Sequence, residues 1–324
     1  MAHLKPAGDL PAPRTPLALW RSVDESELPG QEDGEDHSGV GAFLRSRPRL
    51  FGIAYRMLGS VAEAEDVVQE AWMRWQAYDR QSVREPEAFL ATTTTRLAMN
   101  ELQSARARRE TYIGPWLPEP IDTDADPELV AERSETLRFA ILILLERLTP
   151  AERAAYVLHE AFGYPYRQIA EVISTTEDAA RQLASRARRR ITAERRRPVG
   201  DAEQRRLLQA FIDAARSGDI AALESLLTED VVGITDGGGL ANAARVPLVG
   251  RERVVQVTAA VSKWIWQEAT VRIVQANAQA WAVLEVSDGP VMMFTVEASE
   301  EGIDRMLWLA NTAKLGAVFA TGAP

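Results

Sequence analysis

LTPAERAAYVLHEAFGYPYRQIAEVISTTEDAARQLASRARRRI, residues 148–191, is the stretch whose reading decides what kind of chain this is. Thr149-Pro150-Ala151-Glu152 has the form of a capping box with proline at the first helical position, so a helix should start there and stop at Gly163. YRQIAEVI then reads as a short helix and Ser174-Thr175-Thr176 as a turn. Ser174, three residues before Glu177, repeats the capping signal, and EDAARQLASRARRRI follows as a longer, arginine-rich helix. Short helix, tight turn and basic helix make a helix-turn-helix. Ala180, Leu183, Ala184 and Ala187 form the packing side of the second helix. Glu177, Arg181, Gln182, Ser185, Arg186, Arg188 and Arg189 are left for a DNA major groove. The plainer alternative is a solvated arginine face on a helical hairpin, which has similar spacing.

Upstream lies a second helical block. Ser60 and Glu63 make another capping box ahead of VAEAEDVVQEAWMRWQAY, with Ala64, Val68, Ala71, Trp72 and Trp75 on one apolar face. Asp66, Gln69, Glu70 and Met73 make a separate, mostly polar stripe, for which a solvated face is the default reading. The next helix starts near Pro86 and ends in Arg106, Arg108 and Arg109, with Asn100, Gln103 and Ser104 just before. Amides and arginines hydrogen-bond base edges and phosphates, although a basic C-terminal end also suits the helix dipole. Thr92 to Thr95 are poor helix formers, so this helix must rely on packing.

The remaining 324-residue context narrows the classes. The length suggests two or three domains, and the 46% apolar and 26% charged fractions are those of a globular protein. There is no cysteine and only three histidines (His3, His37, His159), which excludes disulfides, thiol chemistry and the usual zinc sites. No apolar run approaches the roughly 18 residues of a membrane helix, and the N-terminus lacks an export signal, so a cytoplasmic protein with no membrane partner is expected. The net charge of -10 is unevenly spread. Residues 1–40 sum to -5 and 201–324 to -6, while 41–200 sum to +1 and residues 181–197 hold eight arginines against one glutamate. A local basic face is what phosphate binding requires.

The chain divides by composition. Residues 1–40 read as a flexible acidic extension, 41–112 and 131–197 as helical domains, and 113–130, with its cluster of prolines and acids, as a flexible linker. Residues 201–324 read as α+β. Helices are expected at 201–216, 219–227 and 250–266, followed by strand-like TVRIVQAN, AWAVLEVS, VMMFTVEA and RMLWLAN, with Ser-Asp-Gly-Pro at 287–290 as a turn.

These motifs together resemble the extracytoplasmic-function sigma factors. RPRLFGIAYRMLGSVAEAEDVVQEAWMRW (47–75) is similar to their region two and residues 148–191 to their region four. SARARRETYIGPWLPEP (104–120), with Trp116, Leu117 and Pro118, resembles the subgroup that carries a C-terminal SnoaL-like cone. So do Asp236-Gly237-Gly238-Gly239 and the NTAKL segment containing Asn311 and Lys314. The resemblance implies partners, namely RNA polymerase core (β′ clamp helices and β flap) and promoter DNA. It implies that Asp66, Gln69, Glu70 and Trp75 dock on polymerase. It places the minus-ten element on the 86–109 helix, through Arg96, Asn100, Gln103, Arg106, Arg108 and Arg109. The minus-thirty-five element falls to the 177–191 helix.

The resemblance also suggests that the C-terminal domain contacts the linker and controls polymerase engagement in cis. Two alternatives stand beside it. One is a fused isomerase or cyclase, because SnoaL-like cones also serve enzymes. Yet residues 201–324 contain no His, Tyr or Cys, leaving Asp213, Asp219, Asp230 and Asp236 as bases without the usual phenol donor. Trp264, Trp266, Trp281 and Trp308 could line an apolar pocket for a small ligand, although buried tryptophans are more often core. The other alternative is a one-component helix-turn-helix regulator. No metal, cofactor or catalytic residue is expected.

Overall fold

A computed structural model of the chain describes residues 39–79, 82–123, 134–193, 196–239, 243–266, 269–286 and 289–319. Most of the acidic extension and residues 124–133 lie outside the described residues.

The first helical unit is α1 (Gly39–Leu58), α2 (Val61–Ala77) and α3 (Pro86–Glu110). Gly59, at φ +70°, turns α1 into α2, and a Cβ there would meet the Trp116 ring at 2.9 Å. Ser60 accepts from the Glu63 amide as expected, while the Glu63 carboxylate turns to Arg108 and Arg109 instead of closing the box. Glu119, far along the chain, accepts from the Ser60 hydroxyl at 2.9 Å and the Val61 amide at 2.7 Å. The threonine run is helical. Thr94 and Thr95 are fully buried, and Thr93 and Thr95 return hydrogen bonds to Phe89 and Ala91 carbonyls.

The second unit is α4 (Phe139–Leu145), α5 (Pro150–Tyr156, continued by a π turn Val157–Ala161), α6 (Tyr166–Val172) and α7 (Glu177–Ala193). The Thr149–Glu152 box is complete. The expected Ser174 cap is corrected. Ser174 lies at φ +55° inside the turn, and Thr176 caps α7 by accepting from the Ala179 amide.

The C-terminal unit is α8 (Asp201–Ser217), α9 (Ile220–Leu226), β1 (Leu227–Asp236), β2 (Leu248–Val249), α10 (Arg251–Ile265), β3 (Thr270–Ala276), β4 (Gln279–Val286), β5 (Gly289–Ser299), β6 (Gly302–Leu309) and α11 (Gly316–Phe319). This is the expected SnoaL-like α+β architecture. Its sheet runs β2-β1-β6-β5-β4-β3, antiparallel except where β1 meets β6. The sequence pattern misses β1, because its Glu229-Asp230 pair interrupts the apolar alternation. The end of the helix expected at 219–227 is its first residue.

The sheet has two apolar faces and they belong to different cores. Ala280, Ala282, Leu284, Phe294, Val296 and Met306 pack with α8 and α10 inside the C-terminal unit. Trp281, Val283, Met293, Leu307 and Leu309 join the core of the two helical units. The linker is the seam between them. Leu117, Pro118, Pro120, Ile121 and Thr123 are buried, which corrects the expectation of a flexible connection for residues 113–123. Apolar side chains on both sides leave it no solvated path.

Candidate functional site

Three groups of polar side chains stand out. The first is α7. Glu177, Arg181, Gln182, Ser185, Arg186, Arg188 and Arg189 are all exposed, while Ala180, Ala184 and Ala187 are buried, as the spacing requires. The arginines differ in what they touch. Arg181 pairs with Glu177 and lies 5.3 Å over the Tyr166 ring. Arg186 and Arg190 lean on the buried Glu152, and Arg188 pairs with Glu160. Gln182, Ser185 and Arg189 share the outward stripe. Burial raises the Glu152 carboxyl, but the Thr149 amide and hydroxyl and then Arg190 and Arg186 hold it below the usual carboxylate range. His159 stacks on Tyr166 and meets its hydroxyl at 3.1 Å, so it braces the start of α6.

The second group lies on α2 and α3. Asp66 and Gln69 are exposed, and Glu70 is half-buried against Arg74. Trp75 is not on that surface. It is 1% exposed, packs on Phe89 and donates to the Gly39 carbonyl at 2.6 Å, so its place in a docking face is corrected to a core position. On α3, Asn100, Gln103 and Arg108 are exposed, Arg108 between Glu63 and Glu101. The other expected minus-ten arginines are turned to protein. Arg96 donates to the carbonyls of Glu171 and Val172 at 2.8 Å each, and to the Ser174 hydroxyl. Arg106 reaches the Glu146 and Leu148 carbonyls, and Arg109 holds Leu58 and Glu146. Helix-end carbonyls attract a guanidinium as a phosphate does, which is why α3 closes onto the second unit here.

The third group is a clasp on the linker. Asp236, at the end of β1, is fully buried and accepts from the Tyr112 hydroxyl at 2.5 Å, the Leu117 amide at 2.8 Å and Lys314 Nζ at 2.7 Å. Lys314 also donates to the Leu117 carbonyl at 2.6 Å, and Asn311 donates to the Tyr112 hydroxyl at 2.9 Å. Trp116 is held between Arg109, 3.6 Å from its ring centre, and Lys314 at 4.4 Å. Gly237 is buried beside Asp236, and Gly239 lets Ile113 approach. At Gly238 a Cβ would stand 2.5 Å from Asn311 and 2.8 Å from Tyr112. Burial, then the Asp236 hydrogen bond, pushes the Tyr112 hydroxyl far above its ordinary value. Burial lowers Lys314 against the pull of Asp236. The sequence reading thus named Trp116, Leu117, Pro118, Asp236, Gly237, Gly238, Gly239, Asn311 and Lys314, and they meet in one place or border it. It missed Tyr112 as their partner, and it missed Tyr55, Glu119 and Asn277.

Catalytic and pocket candidates fare differently. Asp213 and Asp230 are exposed, Asp219 caps α9, and Asp236 is in the clasp. Phe211, Phe294, Trp266 and Trp308 pack ring against ring inside the C-terminal unit, and Trp281 meets Phe139 on the other face. The side chain of Trp264 lies outside the described residues. Among the described residues no group of His, Cys, Asp and Glu could hold a metal, and no helix is long and apolar enough to cross a membrane.

Residues 42–108 match the Sigma-70 region 2 family, and residues 138–191 match Sigma-70, region 4. The ECF RNA polymerase sigma factor SigJ of Mycobacterium tuberculosis (strain H37Rv) is 43% identical over 222 residues, 67% of this chain and 71% of that protein. The chain belongs to the extracytoplasmic-function sigma factors. A probable sigma factor of the same kind, SigI of Mycobacterium tuberculosis, is 38% identical over 227 residues, covering 67% of this sigma factor and 75% of its own length. The crystal structure of M. tuberculosis SigJ superposes with a TM-score of 0.70 at 32% identity, across 86% of this chain and 98% of that one. Membership gives the sigma factor its broad role in promoter-directed transcription, with RNA polymerase and promoter DNA as partners.

Proposed function

We propose that this arrangement is the closed state of the sigma factor, and that its C-terminal unit controls opening by holding the linker. The observation that carries the reading is Arg96, which ties α3 to the α6 carbonyls at 2.8 Å. Two DNA elements near minus ten and minus thirty-five lie about 85 Å apart at about 3.4 Å per base pair. Readers that touch each other cannot serve both. Polymerase must therefore separate them, and once it holds both, effective concentration offsets their individually weak grip.

In the open state Asp66, Gln69 and Glu70 face polymerase. Arg96, Asn100, Gln103, Arg106, Arg108 and Arg109 become available to the minus-ten element. Gln182, Ser185, Arg189 and Arg181 read the minus-thirty-five element, with Glu177, Arg186 and Arg188 at its margin. The clasp of Asp236, Asn311 and Lys314 on residues 112–117 biases the equilibrium toward the closed state.

Regulation is favoured over catalysis because rings fill the interior of the C-terminal unit and its buried carboxylate is spent on the clasp. The test is reconstituted transcription from a sigma-dependent promoter with core polymerase and full-length Asp236→Asn or Lys314→Met protein. Loosening the clasp raises output roughly threefold or more, since a shift of under 1 kcal/mol suffices. Variants that fold and transcribe like the parent end the regulatory reading. A parent that never joins core polymerase ends all of it.

A further inference from the structure

The β3–β4 hairpin turns on Asn277 and Ala278, both in the left-handed region at φ +52° and +55°. A primed two-residue turn suits asparagine, but a turn tip normally points to water. Asn277 is instead fully buried and its side chain is satisfied by three different parts of the molecule. Its Oδ1 accepts from the Ile121 amide of the linker at 3.0 Å. Its Nδ2 donates to the Tyr55 hydroxyl of α1 at 2.8 Å and to the Leu137 carbonyl, just before α4, at 3.1 Å. Its own amide donates to the Ile121 carbonyl at 3.0 Å, Tyr55 donates onward to the Glu119 carbonyl, and Asp122 bridges to Ala276.

One side chain thus touches the first helical unit, the linker and the second helical unit. Moving either unit away strands at least one buried polar atom, so the three cannot part while the tip stays seated. We propose that the β3–β4 hairpin tip is a wedge that must withdraw before the sigma modules separate, with Asn277 positioning all three bodies. This rests on the closed-state reading but adds a second hold, independent of the Asp236 clasp.

The chain has no cysteine, which makes a reversible lock feasible. Asp122 and Ala276 face one another as an antiparallel bridge, a pairing whose Cα atoms stand about 4.5–5.5 Å apart, within disulfide reach. In full-length Asp122→Cys/Ala276→Cys protein, the oxidised form loses about tenfold or more of its transcription with core polymerase, and reductant restores it. A second pair, Thr123→Cys/Ala278→Cys, repeats the test beside the 3.4 Å contact of Ala278 with Thr123. Asn277→Ala in the full chain raises output, and does so again on top of Asp236→Asn.

An oxidised lock that transcribes as well as its reduced form overturns the wedge. Spin labels at exposed Ala62 and Thr192 keep the two ideas apart. If the label distance lengthens on polymerase in the oxidised protein too, the wedge fails and the closed-state reading stands. If it never lengthens in the reduced protein, the closed-state reading itself fails.

Discussion

At the scale of single residues, this protein places its buried charges where chain segments meet. Asp236 and Lys314 are desolvated together, so each depends on the other and on Tyr112 and Leu117 for compensation. Tyr112→Phe removes one donor from the carboxylate and one acceptor from Asn311. It should cost about 1–3 kcal/mol of folded stability, read by urea unfolding, while Ile113→Ala at an exposed position should cost far less. Glu152 supplies a pH signature. Its folded value is depressed, so its contribution is fully present above the unfolded value of about 4.3 and is lost as pH falls through the lower folded value. The stability gap between the parent and Glu152→Gln should therefore be widest near neutrality and close in acid. A gap that widens on acidification contradicts the assignment. The capping box behind this residue was legible in the sequence. Its later use as the anchor for Arg186 and Arg190 was not, because α5 and α7 meet only through folding.

At the scale of elements, α7 is the clearest case of sequence dictating structure. Ala180, Ala184, Ala187 and Ile191, at helical spacing, fix which side is buried, and the arginines take what remains. The cap was misread by two residues. Ser174-Thr175-Thr176 offers three hydroxyls, and the left-handed turn at Ser174 leaves Thr176 to meet the Ala179 amide. Thr176→Ala should destabilise the helix-turn-helix by about 1 kcal/mol and Ser174→Gly by little or nothing, measured by thermal unfolding. Strand β1 escaped detection for a related reason: Glu229 and Asp230 are exposed where the register against β6 shifts between Leu227 and Val232, and strand identity comes from the pairing of Val232–Asp236 with β6 beyond that break.

At the scale of the whole molecule, one sheet serves two cores. Trp281 sends its ring toward Phe139 of the second helical unit, while its neighbours Ala280 and Ala282 belong to the C-terminal interior. Such sharing predicts a single cooperative calorimetric transition for full-length protein instead of separate melts. Trp281→Ala should cost about 3–5 kcal/mol and split the transition, since it removes the largest bridging side chain. Two transitions in the parent would contradict the shared core. The same geometry makes truncation near residue 200 a poor probe of regulation, because it bares an apolar face as well as removing the clasp.

The sequence alone determined the helical units, the helix-turn-helix, the α+β character of the C-terminal third and nearly every clasp residue. The first three follow from local periodicity and capping chemistry, which operate within a few residues of one another, and the clasp residues from the resemblance of their short segments to motifs of a sigma-factor subgroup. Only the tertiary structure decided that residues 113–123 are pinned, that Trp75 is fastened to the Gly39 carbonyl, that Arg96 faces protein, and that Asn277 joins three segments. Each of those depends on atoms brought together from 36 to 222 positions apart. Local propensity carries no information about such meetings, because desolvation and hydrogen-bond satisfaction are settled only once the partners share a dry interior.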